Sequence, residues 1–376
     1  MILAYVGLAE TAMAADQIED LVATGTDGGA EHLLNFNPAI TYSPKRLISA
    51  LAIQGKRRAS VIGSPEGNSQ KIKYTTSLEG IGAAFSVPLG GASFGLHYAE
   101  LREELTALNE QFQIERSEQQ VAKDWAFRFV VELTPNLRGG FLYQIRKVEN
   151  DIHGSFSVND DDRTVYKGQM AGYRLGAFYD SPKFGLGLYT APALRGKGVI
   201  DSEQKILTEP GSAGLDFYYK GRQKASFSLG VTRWYYKRDD RGELSTSPVD
   251  QRTMSLNGLD LRQYMFKTEE YRIGLKYELK RHIFLKAHIS RTEAVFLFDD
   301  DAVPGDRPDR ESAIRLNQYV IGLNYRKNRF SMELAYHLES MVTADIEDPT
   351  RKMGHRDYQN YDSEQKMTVL KFSLAN

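Results

Sequence analysis

Side chains of alternating character recur at every second residue along most of this chain, and that spacing decides which folds are open to it. In residues 173–179, Tyr173, Leu175, Ala177 and Tyr179 share one face of an extended strand, and Arg174, Gly176 and Phe178 share the other. An Asp-Ser-Pro-Lys turn follows, and Phe184, Leu186 and Leu188 then alternate with Gly185 and Gly187. Two such runs joined by so short a turn read as a β-hairpin. The unit repeats. Ala213, Leu215, Phe217 and Tyr219 oppose Gly214, Asp216 and Tyr218, and Phe227, Leu229 and Val231 oppose Ser226, Ser228, Gly230 and Thr232. Tyr271, Ile273, Leu275 and Tyr277 oppose Arg272, Gly274, Lys276 and Glu278. Further runs bring the count to about fourteen strands, the first near residues 46–57 and the last near the C-terminus.

The connections alternate as well. Short turns are expected near residues 90, 135, 181, 222, 280 and 327. Long polar loops are expected at roughly 58–78, 106–119, 152–168, 197–211, 238–265, 297–312 and 343–363. Short turns at one end, long loops at the other and an even number of strands point to a transmembrane antiparallel β-barrel. A soluble β-sandwich also alternates, but it buries its apolar face against a second layer. No helical pattern that would supply such a layer is visible. Tyr179, Tyr219, Tyr277 and Tyr325 near strand ends suit an interfacial girdle.

Composition is compatible with that reading. The 376 residues carry 48 basic and 49 acidic side chains, which leaves no basic excess of the kind that binds nucleic acid. No apolar run approaches the roughly 18 residues of a membrane helix. Mean hydropathy is −0.45, a measure blind to strands that are apolar only at alternate positions. The absence of cysteine excludes disulfides, thiolate metal sites and a cysteine nucleophile. Residues 1–14 are small and apolar and end in Ala12-Met13-Ala14, so they read as the remainder of a signal peptide.

If the apolar set faces lipid, the mixed set lines the lumen, since a charge at the bilayer midplane costs about 2–4 kcal/mol. Arg128, Glu132, Arg146, Asp216, Lys276, Glu278, Lys286, His288, Glu333 and His337 are then expected to point inward. A lumen this wide is not filled by its own side chains; it holds water, a plug or a ligand. Residues 15–44 precede the barrel (45–376) and carry apolar Leu33, Leu34, Phe36 and Ile40 with Pro38 and Pro44. Such a segment has an obvious place to bury these side chains, inside the lumen as an N-terminal hatch.

At this point the chain resembles the FadL/TodX-type outer-membrane transporters of long-chain fatty acids and other hydrophobic compounds. Asn37-Pro38-Ala39 matches the family's hatch motif in composition and in its place ahead of the first strand. The hairpins over 172–198 and 210–236 look like the family's mid-barrel hairpins. The resemblance implies a passive channel in the outer membrane of a Gram-negative bacterium, a hatch-gated lumen and lateral release into the bilayer. Its partners would be fatty acids or aromatics, outer-membrane lipid and lipopolysaccharide. On that reading Phe36 and Ile40 contact substrate and Asn37, Pro38 and Ala39 shape the hatch. The family also has a kinked third strand; Gly90-Gly91 and Gly95 permit a local bend there.

No catalytic signature, phosphate loop or cofactor motif is present. The acidic runs at 159–163 and 299–311 lack EF-hand spacing and read as solvated loops, so no metal is expected. His288 and His337 either meet a carboxylate head group or join the lumen's charge network. Two other functions fit the same fold: a general diffusion porin for small polar solutes, and a structural or adhesive barrel acting through loops such as 238–265.

Overall fold

The computed structural model describes residues 37–40, 46–64, 70–109, 114–153, 163–200, 203–209, 211–220, 225–235, 244–245, 265–298, 310–345 and 357–375. Its strands are β1 (Leu47–Ser64), β2 (Gln70–Pro88), β3 (Ala92–Asn109), β4 (Ile114–Thr134), β5 (Leu137–His153) and β6 (Arg163–Asp180). Then come β7 (Phe184–Ala191), β8 (Leu194–Ile200), β9 (Glu203–Glu209), β10 (Gly211–Lys220), β11 (Ala225–Tyr235) and the two-residue β12 (Leu244–Ser245). The last five are β13 (Met265–Lys280), β14 (Ile283–Phe298), β15 (Arg310–Lys327), β16 (Phe330–Asp345) and β17 (Asp357–Ala375). β7 with β8, and β9 with β10, are halves of single wall strands, and β12 only adds briefly to β9. Fourteen antiparallel strands therefore form the wall. Leu47 on β1 stands opposite both Ser86 on β2 and Ala375 on β17, which closes the sheet into a barrel.

The period-two pattern translates directly into two faces. Outward positions include Leu186, Leu188, Leu215, Leu229, Ile273, Ile289, Ile321 and Leu334, all exposed although apolar. So wide an apolar surface on the outside of a closed barrel is a lipid-contact surface. Tyr173 and Tyr179, Tyr271 and Tyr277, and Tyr319 and Tyr325 each sit six residues apart on one strand and all face out. Six residues span about 20 Å of strand. Two aromatic rows at that separation, reaching beyond it at both ends, suit an apolar band roughly 25 Å tall. The face assignment has a measurable consequence. Ile273 is 57% exposed, whereas Lys276 on the opposite face is buried. Ile273→Arg is expected to destabilise the barrel by about 2–4 kcal/mol in urea unfolding from lipid vesicles. A loss under half a kilocalorie would mean that this face does not meet lipid.

Among the described residues the tight turns fall where the sequence places them; the turn expected near residue 222 lies outside them. Gly90 and Gly91 adopt φ of 55° and 81°, and His282 and Asn328 adopt 72° and 55° in the turns before β14 and β16. Among the described residues these four carry left-handed φ, consistent with tight hairpin turns. At the opposite end the strands run well past the expected loop boundaries. β1 continues to Ser64 and β3 to Asn109, so the intervals before β2 and β4 shrink to residues 65–69 and 110–113. The physical reason is the collar of outward charges above the apolar band, such as Lys56, Arg58, Glu100, Arg102 and Lys123. In sequence these residues break the apolar alternation and look like loop, but the backbone ladder continues through them. The acidic runs at 159–163 and 299–311 and the loop at 238–265 lie almost wholly outside the described residues.

β3 is not kinked. Its ladders to β2 and β4 run without a register shift from Ala92 to Asn109. Gly95 has a different purpose: a side chain there would press on the His97 ring and the Arg128 guanidinium.

Candidate functional site: a docked turn and an apolar lumen wall

Asn37-Pro38-Ala39-Ile40 forms one compact turn. Ile40 N–H donates to the Asn37 carbonyl at 3.2 Å, and Ala39 N–H donates to Asn37 Oδ1 at 3.0 Å. The residue types explain this. Proline presets φ at the second turn position, and an asparagine side chain accepts from the backbone two residues on. With Oδ1 satisfied inside the turn, Nδ2 is left to bind elsewhere. It donates to the Ala177 carbonyl at 2.8 Å and the Leu188 carbonyl at 3.0 Å. Those two residues face each other across the β6–β7 ladder, so one amide bridges two wall strands.

The wall is cut away to receive the turn. Gly140 on β5 stands directly opposite Gly176 on β6, and Gly187 on β7, opposite Phe178, lies diagonally from Gly176, all three on the inner face. A Cβ at 140 would come within 2.6 Å of Ala39 Cα, one at 176 within 2.8 Å of Pro38 Cδ, and one at 187 within 2.8 Å of Asn37 Nδ2. Ala39 and Ile40 then pack with Phe178 and Tyr218, whose rings meet edge to face at 5.9 Å. All four turn residues are buried. Of the five hatch residues expected from sequence, the structure thus seats Asn37, Pro38, Ala39 and Ile40 on the inner wall; Phe36 lies outside the described residues.

The inward polar set is organised as paired groups. Asp124 accepts from Arg146 Nε at 2.9 Å and from Gln144 at 3.1 Å. Arg128 donates to Ser86 at 3.3 Å. Lys286 pairs with Glu333 at 2.6 Å, and Asn324 also donates to Glu333. Arg272 reaches Asp216, Glu270 and Thr232. Lys276 lies over the Phe284 ring with Nζ 4.6 Å from its centroid. Glu278 is half-buried near the turn before β14. Glu132 departs from expectation: it is exposed. It shares the parity of Arg128, but the ladder shifts between Glu132 and Thr134 as β4 enters its turn, so the side chain stands at the rim rather than in the lumen.

A second inward surface is apolar and was not anticipated. Leu51 and Ile53 on β1, Leu78 on β2, Leu101 on β3, Val320 on β15 and Met367 and Val369 on β17 belong to one buried cluster on the lumen side. His288 and His337 flank Val320 in register, so the two imidazoles sit at the border of this patch. The signal was present in the sequence. The stretch "LISALAI" from Leu47 is apolar at both parities, which a strand with a purely polar inner face would not be.

No protein-family model matches the chain, and no curated protein matches it. Among solved structures it is similar to a FadL homologue of Pseudomonas aeruginosa (11% identity, TM-score 0.59), covering 94% of this chain and 96% of that one. It is also similar to the toluene transporter TodX of Pseudomonas putida, at 11% identity and TM-score 0.61 over 98% and 99% of the two chains. The fold is that of the FadL- and TodX-type channels. The toluene transporter TbuX of Ralstonia pickettii gives 12% identity and a TM-score of 0.56 over 98% and 99%. At such identities the likeness establishes the barrel and its strand arrangement, and the side-chain chemistry must be read from this chain itself.

Proposed function

We propose that this protein is an outer-membrane channel through which hydrophobic molecules, long-chain fatty acids or aromatic hydrocarbons, pass down their gradient. The observation that carries the reading is the apolar lumen patch bordered by His288 and His337. A general porin has a lumen lined for water and ions; a continuous inward patch of Leu, Ile, Val and Met serves an apolar solute. Burial at about 25 cal/mol per Å² supplies the capture energy. The imidazoles supply a polar end for a carboxylate or a π face. The docked turn at Asn37–Ile40 supports a second element of the reading, that residues 15–44 act as a hatch. It fixes the segment to the wall at one defined point and leaves a small set of bonds to break for opening. Arg128, Arg146, Lys276, Glu333 and their partners serve in this reading as the paired lining of the remaining lumen. The barrel's charged outward collar stands where lipopolysaccharide head groups would lie.

Uptake separates the alternatives. Cells carrying the protein are expected to accumulate labelled toluene or palmitate faster than cells lacking it, with no gain in labelled sugar. Equal flux of sugar, or steady large conductance in planar bilayers, would favour a porin. No uptake of either would favour an adhesive barrel. Within the lumen, Val320→Asn places an amide in the apolar patch, at a cost of about 1–2 kcal/mol to a bound apolar solute. Initial uptake at limiting solute is expected to fall roughly tenfold.

A further inference from the structure

The short turns, which lie at the periplasmic end of such a barrel, differ in charge. Those at 88–92 and 134–137 carry none. Those at 220–225, 278–283 and 326–330 together carry eight Lys and Arg residues against one acid, Glu278. The chain's net charge of −1 therefore conceals one basic edge. The structure gathers part of it in one place. Arg326 N–H donates to the His282 carbonyl at 2.9 Å, which ties the β13–β14 turn to the end of β15. Lys280, Arg281, Lys327 and Arg329 are exposed around that link. Lys280, Arg281 and Lys327 have no carboxylate partner among the described residues. Elsewhere exposed cations are matched by neighbours: in the outer collar Arg102 meets Glu100 at 2.7 Å and Lys366 meets Glu364 at 2.9 Å. On the periplasmic rim Asp180 is already taken by Lys220 and Arg138. Glu132, on β4, stands across the barrel from β13–β16.

These cations border lipid. Tyr277 and Leu279 face outward just ahead of Lys280, and Tyr325 and Phe330 flank the other turn, all exposed. Outward aromatics mark the edge of the apolar band, so the residues just beyond them stand at the depth of lipid head groups. We propose that the edge formed by the β13–β14 and β15–β16 turns binds the phosphates of anionic phospholipids in the inner leaflet of the outer membrane. Lys and Arg beside a bilayer are drawn to anionic head groups, and the tyrosines and Phe330 set the depth at which they meet them. The cations follow directly on lipid-facing side chains, which favours a lipid surface over an acidic protein docking from the periplasm. The inference concerns the outside of the barrel and is independent of what the lumen carries.

Spin-labelled phosphatidylglycerol and spin-labelled phosphatidylcholine are compared at the boundary of the full-length protein in phosphatidylcholine vesicles. The anionic probe is expected to be held on the order of twofold more strongly, and high salt should weaken that preference. Lys280→Gln with Arg281→Gln and Lys327→Gln should bring the two probes close to parity. Lys56→Gln with Arg58→Gln and Lys366→Gln removes the same charge from the outer collar and should leave the preference largely intact. Heat-modifiable migration confirms that both variants are folded. Equal binding of the two probes by the unaltered protein overturns the proposal and leaves an acidic periplasmic protein as the partner of these turns. A preference that survives in the turn variant, or that disappears only in the collar variant, overturns it as well.

Discussion

Barrels carrying Gly140→Val are expected to conduct ions steadily in planar bilayers under conditions in which the unaltered protein is silent. The argument is steric. The new Cβ would stand within 2.6 Å of Ala39 Cα, and the obstacle is backbone, which cannot swing aside as a long side chain can. The turn must therefore leave its seat. What it gives up is the burial of Ile40, about 1.5–3 kcal/mol, and two hydrogen bonds from Asn37 at about 1 kcal/mol each. Roughly 4 kcal/mol corresponds to a shift on the order of a thousandfold in the docked population. The neighbouring Gly139 provides the control. It faces the other side of β5, where a Cβ would meet only Leu133 and Val131 side chains at ordinary contact distances of 3.5 and 3.7 Å. Gly139→Val should fold, insert and remain silent. A silent Gly140→Val barrel with normal heat-modifiable migration would show that the docked turn does not close the lumen.

The barrel was legible in the sequence because lipid imposes its rule on every strand. Ile273 and Lys276 could be assigned to opposite faces by parity alone, and the structure places them there. The tight turns were equally legible, since Gly90-Gly91 and Asn328 sit where only turn-forming residues are tolerated. Strand ends were not. Above the apolar band both faces of a strand are polar, so Lys56 and Glu104 carry no periodic signal although the ladder passes through them. The lumen was half legible. Charges at inward parity announce themselves, but Leu51 and Val369 look like any lipid-facing residue until their parity is fixed by pairing with neighbours. The glycine cradle was the least visible part. Gly140, Gly176 and Gly187 come from three strands and acquire meaning only when the ladder gathers them against a segment roughly 100 to 150 residues upstream.

A fully buried charge pair in the lumen gives a second strong expectation, on stability rather than conduction. Lys286 and Glu333 are 0% and 1% exposed and meet at 2.6 Å, with Asn324 donating to the same carboxylate oxygen. Removing one partner leaves the other charge in a low-dielectric site with its solvation already lost. Lys286→Met is therefore expected to cost about 3–5 kcal/mol, read as a lowered urea midpoint with an unchanged slope. The double variant Lys286→Met with Glu333→Leu removes both charges and keeps most of the volume. It should recover most of that loss, because the desolvation burden disappears together with the attraction. A double-mutant cycle on the two positions reads the coupling directly. If the double variant were as unstable as Lys286→Met alone, the pair would not be the unit that stabilises this part of the wall, and the bond from Asn324 would be the contact to test next.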